Sequence, residues 1–176
     1  TLVMVGAVKH ETAQELARKY FGWIPRCPDP PRITVQEPPT TQPRQITLKE
    51  DNAPAPIIGV VFHTVPTTHP DEIPLELLGT ILGGGESSRI YRELVAEKQL
   101  AAMAMAGSFT LEQAGLFGAV AILMPMGSEV DGVQAALEAQ ISRLREEPVS
   151  ERELLKARNQ KLAELVTRSL QVASRA

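Results

Sequence analysis

The sequence contains few of the residues that form disulfides or soft metal sites. It has one cysteine, Cys27, and three histidines among 176 residues. A single thiol excludes an internal disulfide and a thiolate metal cage, and it leaves the redox compartment open. The 18 basic and 21 acidic residues are well mixed and give a formal net charge of -3. Because no continuous basic surface is predicted, nucleic acid is not an expected partner.

Long apolar segments are also absent. No run of residues predicts a membrane segment, and Leu2–Val8 lacks the charged start and the length of a signal peptide. We interpret Leu2–Val8 as a buried strand, and the hydrophobic content of 43% excludes a disordered tail. The chain starts without methionine and its last helix has no closing glycine or proline, so we expect an excised piece of a longer polypeptide.

Prolines divide the chain. Seven of the fourteen lie between Gly22 and Pro43, in a stretch of little periodicity that cannot hold a helix or a central strand. We therefore predict a linker at 25–43. Residues 1–24 have the pattern of a strand followed by a helix that stops near Gly22. Residues 44–176 are predicted to form a second structural unit, truncated at its C-terminus.

Hydrophobic periodicity in the second unit switches between strand-like and helix-like segments. It predicts four strands, of which Ile57–Val65 is central and the last two form a hairpin. It also predicts four helices, the last opening with a capping box of Ser150 and Glu153. This order favours an α+β fold, an antiparallel sheet with helices packed on one face. The predicted strands are Gln45–Glu50, Ile57–Val65, Ala101–Phe109 and Leu116–Met124, and the predicted helices are 70–82, Ser88–Lys98, Val130–Glu146 and Ser150–Ala176.

Two segments carry a family resemblance. LLGTILGGGESSRIYRELVAEKQLA is similar to LxxxLGGGxSSRLYxxLREKxGLAY, which recurs in the pitrilysin and insulinase family of zinc metallopeptidases that includes the mitochondrial processing peptidase. The opening LVMVGAVKHETAQELARKYFGWIP resembles the closing strand and helix of that family's first domain, usually LVVVGDVDPEEVLALAEKYFGDIP. The resemblance implies the end of the first domain at 1–24 and most of the second at 44–176. It also implies a LuxS/processing-peptidase-like domain architecture.

The zinc site of the family lies elsewhere. Its N-terminal domain carries an inverted HxxEH motif that, with a downstream glutamate, binds the metal. None of that motif occurs here, since His10, His63 and His69 have no partner histidine four residues away. The resemblance therefore implies zinc in the parent protein but bound outside this segment. It implies neither a catalytic nor a metal-binding residue in this chain, which is expected to be inactive alone.

Two residues of the family's substrate-holding site are replaced. Active members supply an arginine and a tyrosine seven residues apart that help to hold the substrate carbonyl, and Val95 and Ala102 stand at those positions. Neither side chain donates a hydrogen bond, and losing one such donor costs about 3 kcal/mol of barrier. Either the parent uses other donors or this half is degenerate.

The glycine-rich turn supplies weak candidates for substrate binding: Gly83, Gly84, Gly85, Arg89 and Tyr91. The glycines resemble the loop with which the processing peptidase's non-catalytic subunit helps to capture substrate, although that loop is longer. The structural alternative, which we favour, is that they end one helix and let the next begin at Ser87 or Ser88. Arg89 and Tyr91 could face a cleft or, equally, be a solvated arm and a ring at the edge of the core.

Two functions remain open. The first is the non-zinc, substrate-holding half of a bacterial-type zinc metalloendopeptidase, whose peptide substrate is enclosed between this half and the missing zinc-bearing domain, in the cytoplasm or the periplasm. The second is a non-catalytic scaffold that pairs with a separate zinc-bearing subunit. An unrelated α+β binding module would require both family matches to be accidental. Open sheet edges also predict self-association of the fragment.

Overall fold

The computed structural model describes residues 2–31, 38, 40–124 and 129–170. The chain divides into a larger unit, Gln42–Lys161, and a smaller one that comprises Thr1–Thr41 and Leu162–Ala176. Part of the predicted linker and part of the predicted last helix lie outside the described residues.

A three-stranded antiparallel sheet is the centre of the larger unit. It consists of β1 (Ile57–Thr64), β2 (Ala101–Thr110) and β3 (Gly115–Leu123), in the order β1-β3-β2. The predicted hairpin is therefore confirmed as β2 and β3. The predicted central position of β1 is wrong, because β3 pairs with both other strands and β1 lies at an edge. The prediction was based on apolar residues on both faces of β1, which are typical of a strand that is covered on both faces. One of these residues, Val61, is instead 57% exposed.

Helices cover one face of this sheet. The helices of the larger unit are α2 (Glu72–Gly83), the short α3 (Arg89–Tyr91) that continues as a π-helical turn (Arg92–Glu97), and α4 (Val130–Glu146). Their apolar side chains meet those of the strands in a core whose centre is fully buried. The predicted α+β fold is thereby confirmed, and Ile90, Leu94, Val133 and Leu137 face the core. Core members with no exposed surface are Leu82, Ile90, Leu94, Ala119, Ala121, Val133 and Leu137.

Two predicted strands do not form. Within the described part of the chain, neither Leu2–Val8 nor Gln45–Glu50 pairs with the sheet, and Ile46 and Leu48 are 78% and 89% exposed. Apolar alternation makes a segment suitable for a sheet, but a strand forms only where another strand satisfies its backbone donors and acceptors.

The smaller unit contains α1 (His10–Phe21), where the sequence predicts a helix. Gly22 stops it, its N–H bonding the carbonyl of Arg18 at 2.9 Å. No residue of α1 is buried, although its apolar residues recur at helical spacing. None of the helices in the described ranges is long and apolar enough to span a bilayer.

The last helix, α5 (Glu151–Leu170), begins as predicted but is packed differently. The capping box is confirmed: the Ser150 N–H donates to Glu153 at 3.1 Å, and the Glu153 N–H donates to the Ser150 hydroxyl at 3.3 Å. Apolar recurrence predicts a packed stripe, yet every member of it is more than half exposed, and Ala157 is the one buried residue of this helix. The members of the stripe are Leu155, Leu162, Leu165, Val166 and Leu170.

Candidate functional site

The glycine segment, Gly83–Gly85, ends α2. A methyl group on Gly83 would overlap the backbone nitrogen of Ala106 and lie 2.5 Å from the carbonyl carbon of Met105, so α2 packs directly on the β2 backbone. Gly84 caps the helix, its N–H bonding the Thr80 carbonyl at 2.9 Å. Gly85 has a φ of +90°, a conformation that favours glycine, with open space where a side chain would stand. The geometry supports the predicted helix-ending role of these glycines.

Ser88 holds the turn that follows. It is 1% exposed and occupies the N-cap position of α3, one of the two serines predicted there. Its hydroxyl, however, donates backwards to the Gly85 carbonyl at 2.6 Å rather than capping the helix. The Ser88 N–H also bonds this carbonyl, at 3.0 Å. The turn after the glycines is therefore fixed by the chain itself.

Arg89 forms a two-pronged ion pair with Glu153 at the start of α5. Its Nε and Nη2 lie 2.8 and 3.0 Å from the two carboxylate oxygens. This contact lowers the pKa of Glu153 to about 2, against the opposing effect of partial burial and with help from the Ser150 N–H and hydroxyl. It also raises the pKa of Arg89. Arg89 is thus neither a solvated arm nor free to bind substrate while this pair persists.

A polar cleft of about 470 Å³ lies beside this pair. Glu93 on its wall accepts hydrogen bonds from Lys98 at 2.5 Å and from Gln140. Partial burial raises the pKa of Glu93, but these two donors outweigh it and the net pKa is lowered. The charged side chains that line the cleft are largely paired with one another. Such pairing is typical of a network that holds helices together rather than of a reaction centre. The cleft is lined by Arg89, Arg92, Glu93, Glu97, Lys98, Gln140, Arg143 and Glu153.

The other predicted site residues do not join this cleft. Tyr91 is half-buried at the end of α3, and Val95 is half-buried against the core. Ala102 is exposed at the start of β2, where the pairing register shifts.

Sequence reasoning missed Glu93, Gln140 and the pairing partner of Glu153. The Arg89–Glu153 pair joins residues 64 positions apart, and no local pattern marks such a contact.

The histidines do not form a metal centre in this chain. His10 lies in α1, His63 in β1, and His69 before α2, where its Nδ1 accepts from the Asp71 N–H at 3.1 Å. Across the part of the chain that the structure describes, no group of three or more His, Cys, Asp or Glu side chains could hold a metal ion. These donors therefore do not fit a zinc site.

Fold and site together define an α+β domain without a metal-binding set of its own among the described residues. The family model for the peptidase M16 inactive domain matches residues 1–161. The chain belongs to this family of zinc metallopeptidases, in its inactive domain. The family named from the glycine segment and the opening segment is thereby confirmed.

Two relatives agree with this family assignment. The chain is 23% identical over 168 residues to the zinc protease PqqE of Helicobacter pylori, covering 94% of this chain and 38% of that protein. It is 26% identical over 168 residues to the "Probable mitochondrial-processing peptidase subunit beta" of Arabidopsis thaliana, covering 90% and 31%. The chain thus spans less than two fifths of the length of these relatives.

Solved structures share the fold. A protease from Helicobacter pylori superposes with a TM-score of 0.85 at 23% identity, covering 97% of this chain and 41% of that one. The peptidase M16 inactive domain from Pseudomonas fluorescens gives a TM-score of 0.55 at 18% identity, covering 60% and 26%. The predicted metallopeptidase-type domain architecture is therefore confirmed at the level of fold.

Proposed function

We propose that this chain is the non-zinc half of a zinc-dependent metalloendopeptidase and that it helps to hold a peptide against a zinc-bearing half outside this segment. The match of residues 1–161 to the M16 inactive domain carries the proposal. The placement of the histidines is compatible with it, because among the described residues no group of three or more His, Cys, Asp or Glu side chains could hold a metal ion. The zinc and the groups that activate water belong to the other half.

Gly85 is the part of the glycine segment best suited to approach a peptide. It is exposed, and no atom lies within 4 Å of the position that a Cβ would take. A peptide backbone can therefore come close to it without meeting a side chain. Gly83 is buried, so its role is confined to packing. Tyr91, half-buried on the next helix, is the second candidate contact, and Arg89 becomes available to a substrate only when its pair with Glu153 opens.

The first experiment compares the full-length parent protein with this chain. Zinc content and cleavage of an unstructured peptide are measured in both, with and without a chelator. We expect zinc and activity in the parent alone, removed by chelation and restored by added zinc. A parent that contains neither zinc nor activity would overturn the peptidase half of the proposal.

A second experiment tests substrate holding in an active parent. Gly85→Ala places a methyl group on the exposed glycine, and we expect KM to rise with little change in kcat, the signature of weakened ground-state binding. Gly132→Ala is the matched control, because a Cβ there also meets open space but lies at the start of α4. Equal KM values for both variants would contradict a substrate role for Gly85.

One observation favours a second candidate, a non-catalytic scaffold subunit that pairs with a separate zinc-bearing chain. Val95 and Ala102 replace the arginine and tyrosine that help active members hold the substrate carbonyl, and neither can donate a hydrogen bond. A parent without zinc that forms a stable complex with a separate zinc peptidase would establish this alternative.

A further inference from the structure

The first three turns of α5, residues 151–161, contact the rest of the larger unit through several polar side chains. Four of its residues in the first three turns reach the glycine segment or its neighbours. Glu153 pairs with Arg89, Lys156 bonds the Ser87 hydroxyl, Gln160 donates to the Gly84 carbonyl at 3.5 Å, and Lys161 lies 3.1 Å from Glu76. Ala157 is the one buried residue that accompanies them.

The spacing of these four residues places them on one face of the helix. At 3.6 residues per turn, positions 153, 156, 160 and 161 fall within about 140° of the circumference, with Ala157 among them. Leu155 and Leu162 lie on the opposite side, 59% and 51% exposed. This part of the helix thus presents its polar face to the glycine segment and Leu155 to the other side, the reverse of a core-packed helix.

Helix α4 in the same unit is held by the opposite kind of contact. Its Val133 and Leu137 have no exposed surface, and Ala136 is 7% exposed. Burial of apolar area is not weakened by salt, whereas the attraction between partly exposed charges is screened within about 3 Å at 1 M ionic strength. The two helices should therefore respond differently to the same change of salt.

We propose that residues 151–161 of α5 are a strap across the glycine segment, fastened by charge and released by ionic strength or by a competing charged ligand while the core stays folded. Release frees the Arg89 guanidinium, the Ser87 hydroxyl and the Gly84 carbonyl from their partners on α5. These are groups that can bind an extended chain. The strap is a property of this chain and does not depend on whether the parent cleaves peptides.

Amide hydrogen exchange of the 176-residue chain at low and high sodium chloride tests the strap. Between about 0.01 M and about 1 M salt, we expect amide exchange in 151–161 to become about fivefold faster or more. This ratio corresponds to a loss of roughly 1 kcal/mol from the free energy that keeps this segment closed. Exchange in α4 and in the β2–β3 hairpin should change little. Equal salt responses of α5 and α4 would overturn the proposal without any variant being made.

A charge swap at the outermost fastening adds a second readout. Lys161→Glu faces Glu76 with a like charge, and we expect exchange in 151–161 to become two- to fivefold faster at low salt, the range of surface pairs. The double variant Glu76→Lys with Lys161→Glu restores the attraction and should restore slow exchange at low salt. Hairpin amides report that each variant is folded. A double variant that exchanges as fast as the single one would contradict an electrostatic fastening.

Discussion

Gln99 is the residue with the most strained backbone in the described part of the chain. Its φ of +52° is the one positive value found there outside glycine. It follows the π-helical turn, and Leu100 just after it bonds the Leu94 carbonyl at 2.8 Å, which fixes the path. The pattern LREKxGLAY, which this segment resembles, has glycine at this position, the residue that adopts a positive φ without a Cβ penalty.

Replacing Gln99 by glycine should therefore stabilise the chain. We expect Gln99→Gly to raise the free energy of unfolding by about 0.5–1 kcal/mol, the left-handed penalty less the extra freedom of glycine in the unfolded state. Urea unfolding measures this directly. Gln99→Ala keeps the Cβ and serves as the control; a gain of the same size in that variant would show that the strain is not the cause.

Gly83 and Gly85 differ in what a methyl group would cost. Gly83→Ala forces α2 away from β2 and should lower the free energy of unfolding by about 3 kcal/mol, as overpacking does. In Gly85→Ala the methyl group meets open space, so the free energy of unfolding should fall only by the cost of a positive φ, about 1 kcal/mol. Thermal or urea unfolding of the two variants compares these costs. Similar losses in both would contradict the close helix–strand contact at Gly83.

Among the elements, the start of α5 contributes a pH-dependent part of the free energy of unfolding, and the sign of this dependence follows from the pKa of Glu153. The pKa of Glu153 is about 2, below the ordinary 4.5, so its contribution to stability is complete above about pH 4.5 and is lost as the pH falls toward 2. Glu153→Gln should cost about 1–2 kcal/mol at pH 7, after allowance for solvent screening, and little at pH 2. Urea unfolding across this range measures the difference.

The control for this prediction is Glu151→Gln, which removes the same charge from the same helical turn but leaves the Arg89 contact in place. Glutamine at 153 can still accept the Ser150 hydrogen bond, so the capping box is largely retained in the test variant. If both variants lose stability equally, the effect comes from the helix terminus in general and not from the ion pair.

Local pattern predicted the elements whose partners are near in sequence. The β2–β3 hairpin, α2, α4 and the capping box follow from periodicity and turn residues, because those signals are local. The position of β1 at an edge and the absence of a strand at Gln45–Glu50 depend on which other segments supply partners. Periodicity shows which residues share a face but not what covers that face. For the same reason the apolar stripe of α5 was expected to pack and does not.

For the whole molecule, the sheet predicts association. Its two edge strands carry exposed apolar residues, with Ile57 66% and Phe109 63% exposed, and edge strands offer unpaired backbone groups to another chain. We expect light scattering to give a mass that rises above the 19.1 kDa of one chain as concentration increases. A strict monomer at high concentration would contradict this expectation.

The π-helical turn Arg92–Glu97 has a consequence for chain length. The Lys98 N–H bonds the carbonyl of Glu93, five residues back, so the turn carries one residue more than an α-helix of the same span. A relative that lacks this extra residue can cover the same distance with a regular helix and keep the core side chains before it in place. We therefore expect a length difference of one residue between family members to be tolerated at this turn, upstream of β2.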